Sequence, residues 1–122
     1  MANIDETLAE AMEIKGAIGA AVVELASGMT LGAKSTGTID METVAAGATE
    51  VVRGQLATMK LMGDDDAVED ILVSTEARFH VMRTFDSAAA DGLFFYVVTS
   101  KTGANLALVR KSVEALAARF EI

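Results

Sequence analysis

A run of six apolar residues near the C-terminal end constrains the fold more than any other feature of this chain. Residues 93–98 read LFFYVV, so both the odd and the even positions are apolar. Because successive side chains of a strand point to opposite faces, both faces must be covered, which is typical of a strand inside a sheet. Residues 17–23, AIGAAVV, predict a second interior strand, with small residues where helices can approach closely. The pattern therefore predicts a sheet with helices packed above and below it.

The composition indicates one small domain and excludes several functions. The 122 residues predict a single domain, 1–122, and the absence of Cys removes disulfides and thiolate chemistry. A net charge of −8 opposes nucleic acid, whose phosphates require clustered Lys and Arg. With neither a signal sequence nor a membrane span, we expect a cytoplasmic protein without membrane insertion. Apolar residues make up 52% of the chain, and we expect part of them to cover a subunit interface, Ala-rich helix packing being the alternative.

Cap and turn residues divide the remainder into further helices and strands. Asn3 and Glu6 have the spacing of a capping box for a first helix, and Asp40 is placed to cap the longest helix. Glu69 and Asp70 lie in a segment that reads as an edge strand, since charges are common on such strands. The predicted elements are helices from residue 4, at 41–62 and from 104, and strands at 17–25, 29–33, 68–73, 78–85 and 93–98.

The longest predicted helix carries two glycines in its interior. Gly47 and Gly54 are seven residues apart and fall together beside Thr43 and Leu61; we call these four residues the glycine flank. An interior Gly costs about 1 kcal/mol relative to Ala, so a compensating contact is expected. The same helix of a second copy, packed antiparallel about a twofold axis, would supply that contact. The alternative is that the glycines let the helix bend or lie close to its own sheet.

Helical periodicity also assigns the other faces of this helix. Val51 and Met62 are predicted to belong to the apolar face that lies on the sheet. Thr49, Arg53 and Lys60 are predicted to lie on the opposite side. Arg53 and Lys60 are basic residues in an acidic protein, which makes them candidates for binding a partner, a solvated face being the alternative.

Motifs that would carry chemistry are weak. Residues 28–35, GMTLGAKS, resemble a phosphate-binding loop, but the glycines enclose three residues instead of four, and a hairpin turn explains them. The acidic segment 64–70, DDDAVED, lacks the spacing of a calcium loop. His80 is the single histidine, and neither Asp86 nor Thr99 stands at a spacing that nominates a catalytic group with it. We therefore expect no catalysis, no metal and no cofactor.

Two local strings and the order of the elements resemble the roadblock/dynein light chain family, in particular its small prokaryotic members. The first string is GAIGAAVV at 16–23 followed by SGM at 27–29. The second is GLFFYVV at 92–98 followed by ANLALVR at 104–110. The resemblance implies an α/β fold of the α+β type, in which a five-stranded antiparallel sheet has the order 2-1-5-4-3. It places the long helix on one face of the sheet and the terminal helices on the other.

The resemblance also implies a mode of action. Members of the family form homodimers that join edge strands and pair their long helices, which adds Ile71 on the predicted edge strand to the glycine flank as expected dimer contacts. Prokaryotic members are similar to regulators of small Ras-like GTPases. The expectation is a homodimeric adaptor without chemistry of its own. The family has no fixed motif for contacting a GTPase, so Arg53 and Lys60 are predicted partner contacts from their position on the long helix only. The alternative is a small-molecule sensor that holds its ligand between the sheet and the helices.

Overall fold

The chain folds into one five-stranded sheet flanked by three helices, in a computed structural model that describes residues 2–63, 65–85 and 90–121. The elements are α1 (Ile4–Ala11), β1 (Ala17–Glu24), β2 (Thr30–Ser35), α2 (Met41–Met62), β3 (Asp70–Ser74), β4 (Arg78–Thr84), β5 (Leu93–Ser100) and α3 (Leu106–Arg119). Among the described residues, no helix is both long and apolar enough to cross a membrane.

The strand order is β2-β1-β5-β4-β3, with every neighbouring pair antiparallel. The two segments that are apolar on both faces, β1 and β5, are neighbours at the centre of the sheet, which confirms the prediction made for them. The charged third strand, β3, stands at one edge, and β2 stands at the other. The predicted sheet order is therefore confirmed.

The core has two layers, one on each face of the sheet. Side chains of β5 alternate between these layers, as the pleat of a strand requires. Phe95 and Val97 pack with α1 and α3, whereas Phe94, Tyr96 and Val98 pack with α2. The long helix is thus on one face and the terminal helices are on the other, as predicted.

Helix ends follow the predicted caps. The Asn3 side chain accepts a hydrogen bond from the Glu6 backbone N–H at 2.9 Å, and the Glu6 carboxylate accepts one from the Asn3 N–H at 3.2 Å. Asp40 caps α2, and Gly63 ends it in the left-handed conformation, with φ 68°, that glycine adopts without strain. The last helix begins at Leu106, two residues later than predicted, because the Asn105 side chain caps it by accepting from the Leu108 N–H.

The predicted sheet-facing side of α2 is partly wrong. Val51 is 43% exposed and Met62 is 66% exposed, whereas Thr49, assigned to the outer side, is buried. One flank of α2 covers the β1–β2 turn, where a Cβ on Gly28 would come 3.4 Å from the Thr49 hydroxyl. The buried arc is therefore displaced towards this turn, which a helical wheel of apolar residues alone does not reveal.

Glycines in the strands let the helices approach the sheet closely, as predicted for β1. A Cβ on Gly19 would lie 2.5 Å from Met41 Sδ of α2. A Cβ on Gly32 of β2 would lie 2.7 Å from Ile4 Cγ2 and 3.0 Å from Leu8 Cδ1, both in α1. Because real Cβ atoms almost never come this close to other atoms, a side chain at either position forces its neighbours to move.

The contact at Gly32 gives a test of the packing between α1 and β2. We expect Gly32→Ala to lower the free energy of unfolding by about 1–3 kcal/mol, because the new methyl group overpacks against Ile4 and Leu8. Lys34→Ala, at an exposed position of the same strand, is the control and should change the free energy of unfolding by less than about 0.5 kcal/mol. Urea unfolding measures both variants, and equal effects would contradict the close approach of α1.

Candidate protein-interaction surface

The glycine flank lies on the outer side of α2, away from the sheet. Gly47 and Gly54 are exposed, and a Cβ added at either one would meet no described atom within 4 Å. Leu61 is 88% exposed, and Thr43 is exposed at the first turn of the helix. The glycines therefore do not serve to bring α2 close to its own sheet, and the described residues provide no contact that offsets their cost.

The exposed side of α2 is long and combines small residues with larger ones, among them Glu50 and Leu61. At about 1.5 Å per residue, the distance along the helix from Thr43 to Leu61 is about 27 Å. Two further small residues, Ala57 and Thr58, are exposed on the same helix. Small residues at these positions let another backbone approach closely, since the distance between two packed helices depends on the side chains at their contact.

The edge strand β3 borders the same region of the molecule. Ile71 is half-buried against the core layer beneath α2, and β3 pairs with β4 on one side and ends the sheet on the other. Gln55 and Met59 of α2 line one depression of about 390 Å³ together with Ile71. We call the five predicted dimer contacts, which are the glycine flank and Ile71, the α2–β3 surface.

Arg53 has its guanidinium engaged within the chain. It donates to the carbonyl oxygens of Leu25 at 2.7 Å and Ala26 at 2.6 Å, and it pairs with the Glu50 carboxylate at 2.6 Å. These bonds tie α2 to the end of β1. Lys60, by contrast, is exposed in the last turn of α2, where a positive charge is favoured by the helix dipole. Of the two predicted partner contacts, Lys60 is the one whose charge faces solvent.

No family model matches this sequence, and no curated protein matches it either. Solved structures do match. The gliding protein MglB from Thermus thermophilus is 18% identical, with 94% of this chain and 83% of that chain covered and a TM-score of 0.77. An MglB with a tetrameric arrangement is 19% identical, with coverages of 94% and 82% and a TM-score of 0.77. A Roadblock/LC7 domain from Streptomyces avermitilis is 14% identical, with coverages of 95% and 92% and a TM-score of 0.79.

The chain has the roadblock fold. Its strand order, its layers and its agreement with these solved structures over most of its length confirm the resemblance at the level of the fold. Identities below one fifth do not by themselves carry a partner or an activity from those proteins to this one.

Sequence reasoning missed a polar pair inside this roadblock sheet. His80 Nδ1 and the Tyr96 hydroxyl oxygen lie 2.8 Å apart and share a hydrogen bond, and the two rings stack with their centroids 6.0 Å apart. The pKa of His80 is lowered from 6.5, first by burial and second by the charge of Arg78. Burial raises the pKa of Tyr96. The contact between His80 and Tyr96 depends on the register of β4 against β5, in which Met82 stands opposite Tyr96. No local signal in the sequence predicts that register.

The acidic side chains of the described residues do not cluster into a metal-binding site. Within residues 2–63, 65–85 and 90–121, no group of three or more His, Asp or Glu side chains is arranged to hold a metal ion. Asp64 and Asp86, which the sequence analysis considered for metal binding and catalysis, lie outside the described residues.

The lowered pKa of His80 predicts a dependence of stability on pH. As the pH falls below about 6.5, the unfolded chain binds a proton at His80 before the folded chain does, so the free energy of unfolding decreases. The decrease should end once the pH is below the folded pKa. His80→Gln should show a weaker dependence between about pH 7.5 and pH 5.5 in urea unfolding. An NMR titration of the imidazole that gives a pKa at or above 6.5 would contradict this assignment.

Proposed function

We propose that this chain is a homodimeric adaptor that carries out no chemistry of its own and presents its paired α2 helices to a protein partner. The observation that carries the proposal is the glycine flank, which costs helix stability without a compensating contact among the residues that the structure describes. A second copy of α2 packed along the flank offsets that cost, because the small residues of the flank let the two helices approach closely within its length of about 27 Å. A twofold axis makes the contact self-complementary, since each copy offers the same residues.

The edge strand supports the same arrangement. An uncovered edge exposes backbone N–H and C=O groups that tend to pair with another chain. The edge of β3 borders α2, so a twofold axis beside it brings two β3 strands and two α2 helices together at once. The exposed side chains of Leu61 and Met62 then lose contact with water, which contributes further stabilisation. Among similar structures, the MglB with a tetrameric arrangement is an example of this fold in an assembly.

The partner class we propose is a small Ras-like GTPase, as the family resemblance implies. Lys60 is exposed at the C-terminal end of α2, where it can contact acidic groups of the partner. Arg53 instead donates hydrogen bonds to the β1–β2 turn and holds that turn in place. The adaptor acts by surface complementarity, and any change in GTP hydrolysis arises from positioning groups that belong to the GTPase.

The dimer is tested by adding bulk to the glycine flank. We expect Gly54→Leu to raise the dimer dissociation constant by about tenfold or more, because overpacking a tight contact costs about 1–3 kcal/mol. The fold of the single chain should be retained, since the position is open and Leu is a better helix former than Gly. Ala46→Leu is the matched control, because it adds similar bulk at an exposed position on the flank beside the β1–β2 turn. Sedimentation velocity over a concentration series measures both variants. A parent chain that stays monomeric at high micromolar concentration would refute the dimer.

The partner is tested by reversing the charge of Lys60. We expect the tagged parent chain to capture a GTP-binding protein from native lysate, and we expect Lys60→Glu to reduce its recovery by about tenfold, since like charges across an interface repel. Lys34→Glu, an exposed lysine on the opposite edge strand, should leave recovery unchanged. Captured proteins are identified by mass spectrometry and tested for GTP binding after purification. Capture of proteins that do not bind GTP would count against the GTPase assignment while leaving the dimer proposal intact.

A further inference from the structure

A polar groove lies on the other face of the sheet, between α3 and the strands β3 and β4. Its volume is about 330 Å³, within the usual range for small-molecule sites. Its charged lining residues are Glu69, Asp70, Arg83, Arg110, Lys111 and Glu114. The glycine flank, Ile71 and Lys60 are not among its lining residues, whereas Glu69 and Asp70 line both this groove and the depression beside Ile71.

Arg83 is the unusual member of this groove. The residue is only 8% exposed, and its Nε–H is buried without a hydrogen-bond partner among the described residues. A guanidinium carries five N–H donors and keeps its charge in proteins, so a buried one normally has an acceptor. Leaving a charged donor buried without an acceptor is costly. Arg83 Nε, at the wall of this groove, lacks such an acceptor among the described residues.

The nearest acid on the neighbouring strand is already used. Asp70 stands directly opposite Arg83 in the β3–β4 ladder, yet both of its carboxylate oxygens accept hydrogen bonds from Arg110. The two bonds, 2.9 Å to Nε and 3.1 Å to Nη2, form a bidentate pair between β3 and α3. The hydrogen bonds that Arg110 donates to Asp70 raise the pKa of Arg110. Asp70 thus pairs with Arg110 and not with Arg83, and it forms a wall of the groove.

The charges that remain limit the kind of ligand. Once Asp70 and Arg110 have neutralised each other, the groove keeps two positive residues, Arg83 and Lys111, and two negative ones, Glu69 and Glu114. Because these four charges sum to zero, the groove offers no net attraction that would favour the second charge of a phosphate. A single carboxylate matches the fork of one guanidinium and carries one charge, which makes it the better ligand.

We propose that this groove binds a small monocarboxylic acid, whose carboxylate accepts hydrogen bonds from the buried Arg83 guanidinium while Lys111 attracts it at the rim. The carbon chain of the acid lies along the groove beside Ala107. The site gives the roadblock fold a ligand position between the sheet and the terminal helix. It does not depend on the proposed dimer or on a GTPase partner.

The experiment is a titration of the full chain with sodium butyrate, followed by ¹H–¹⁵N NMR of the arginine Nε–H signals at constant ionic strength. We expect a saturable shift of the Arg83 signal with a dissociation constant on the order of 1 mM, as suits a ligand of few atoms. Inorganic phosphate should bind more weakly at the same ionic strength. Arg83→Met should reduce butyrate affinity by about tenfold or more, because a charge-assisted hydrogen bond is lost.

Matched variants separate binding from general charge effects. Arg78→Met removes an arginine from the same strand but from the opposite face, and it should change affinity by less than about twofold. If Arg83→Met does not fold, two rim variants decide the question. Lys111→Met should weaken binding by about threefold, and Glu114→Gln should strengthen it by a similar factor, as expected for partly screened charges. The absence of a saturable butyrate shift at Arg83, or tighter binding of phosphate than of butyrate, would overturn the proposal.

Discussion

The burial of β1 and β5 on both faces is the constraint on which the rest of this structure depends. Phe94 and Phe95 are adjacent residues that point in opposite directions, and both are almost fully buried, so the protein needs a layer of helices on each side. One layer is built by α2 alone, and the other is shared by α1 and α3. Because α2 packs chiefly on β1 and β2, it leaves its outer side and the neighbouring edge of β3 uncovered. The location of the α2–β3 surface thus follows from how the central strands are buried.

The uncovered side of α2 differs from an ordinary solvated helix face. Such faces usually carry long charged residues that favour helix formation, whereas Gly47 and Gly54 oppose it and have open space around them. Interior glycines can be explained by a close approach inside the chain, and Gly19 and Gly32 are examples of that in this protein. At Gly47 and Gly54 this explanation fails. The contrast between the two pairs of glycines therefore favours an approach from outside the chain.

Local signals predicted the fold well, and tertiary contacts account for what they missed. Asp40 and Gly63 set the ends of α2 through hydrogen bonds and a backbone conformation that involve neighbouring residues only, so the sequence predicted both ends correctly. The burial of Thr49 and the hydrogen bonds of Arg53 were not predicted, because both depend on the β1–β2 turn, more than twenty residues away along the chain. Arg83 carried no sequence signal either. Its burial without an acceptor is visible only once Asp70 is seen to pair with Arg110.

The short strand β3 connects the two faces of the molecule. Ile71 points to the α2 side and belongs to the α2–β3 surface, while its neighbour Asp70 points to the α3 side and forms a wall of the polar groove. An edge strand has a backbone ladder on one side only, so side-chain bonds contribute more to its position than they do in an interior strand. The Arg110–Asp70 pair is one such bond, and the hydrogen bond from the Thr84 hydroxyl to the Val68 carbonyl, at 2.9 Å just before the strand, is another. A shift of the β3 backbone at Asp70 therefore also moves Ile71 on the other face, because the two residues are adjacent in one strand.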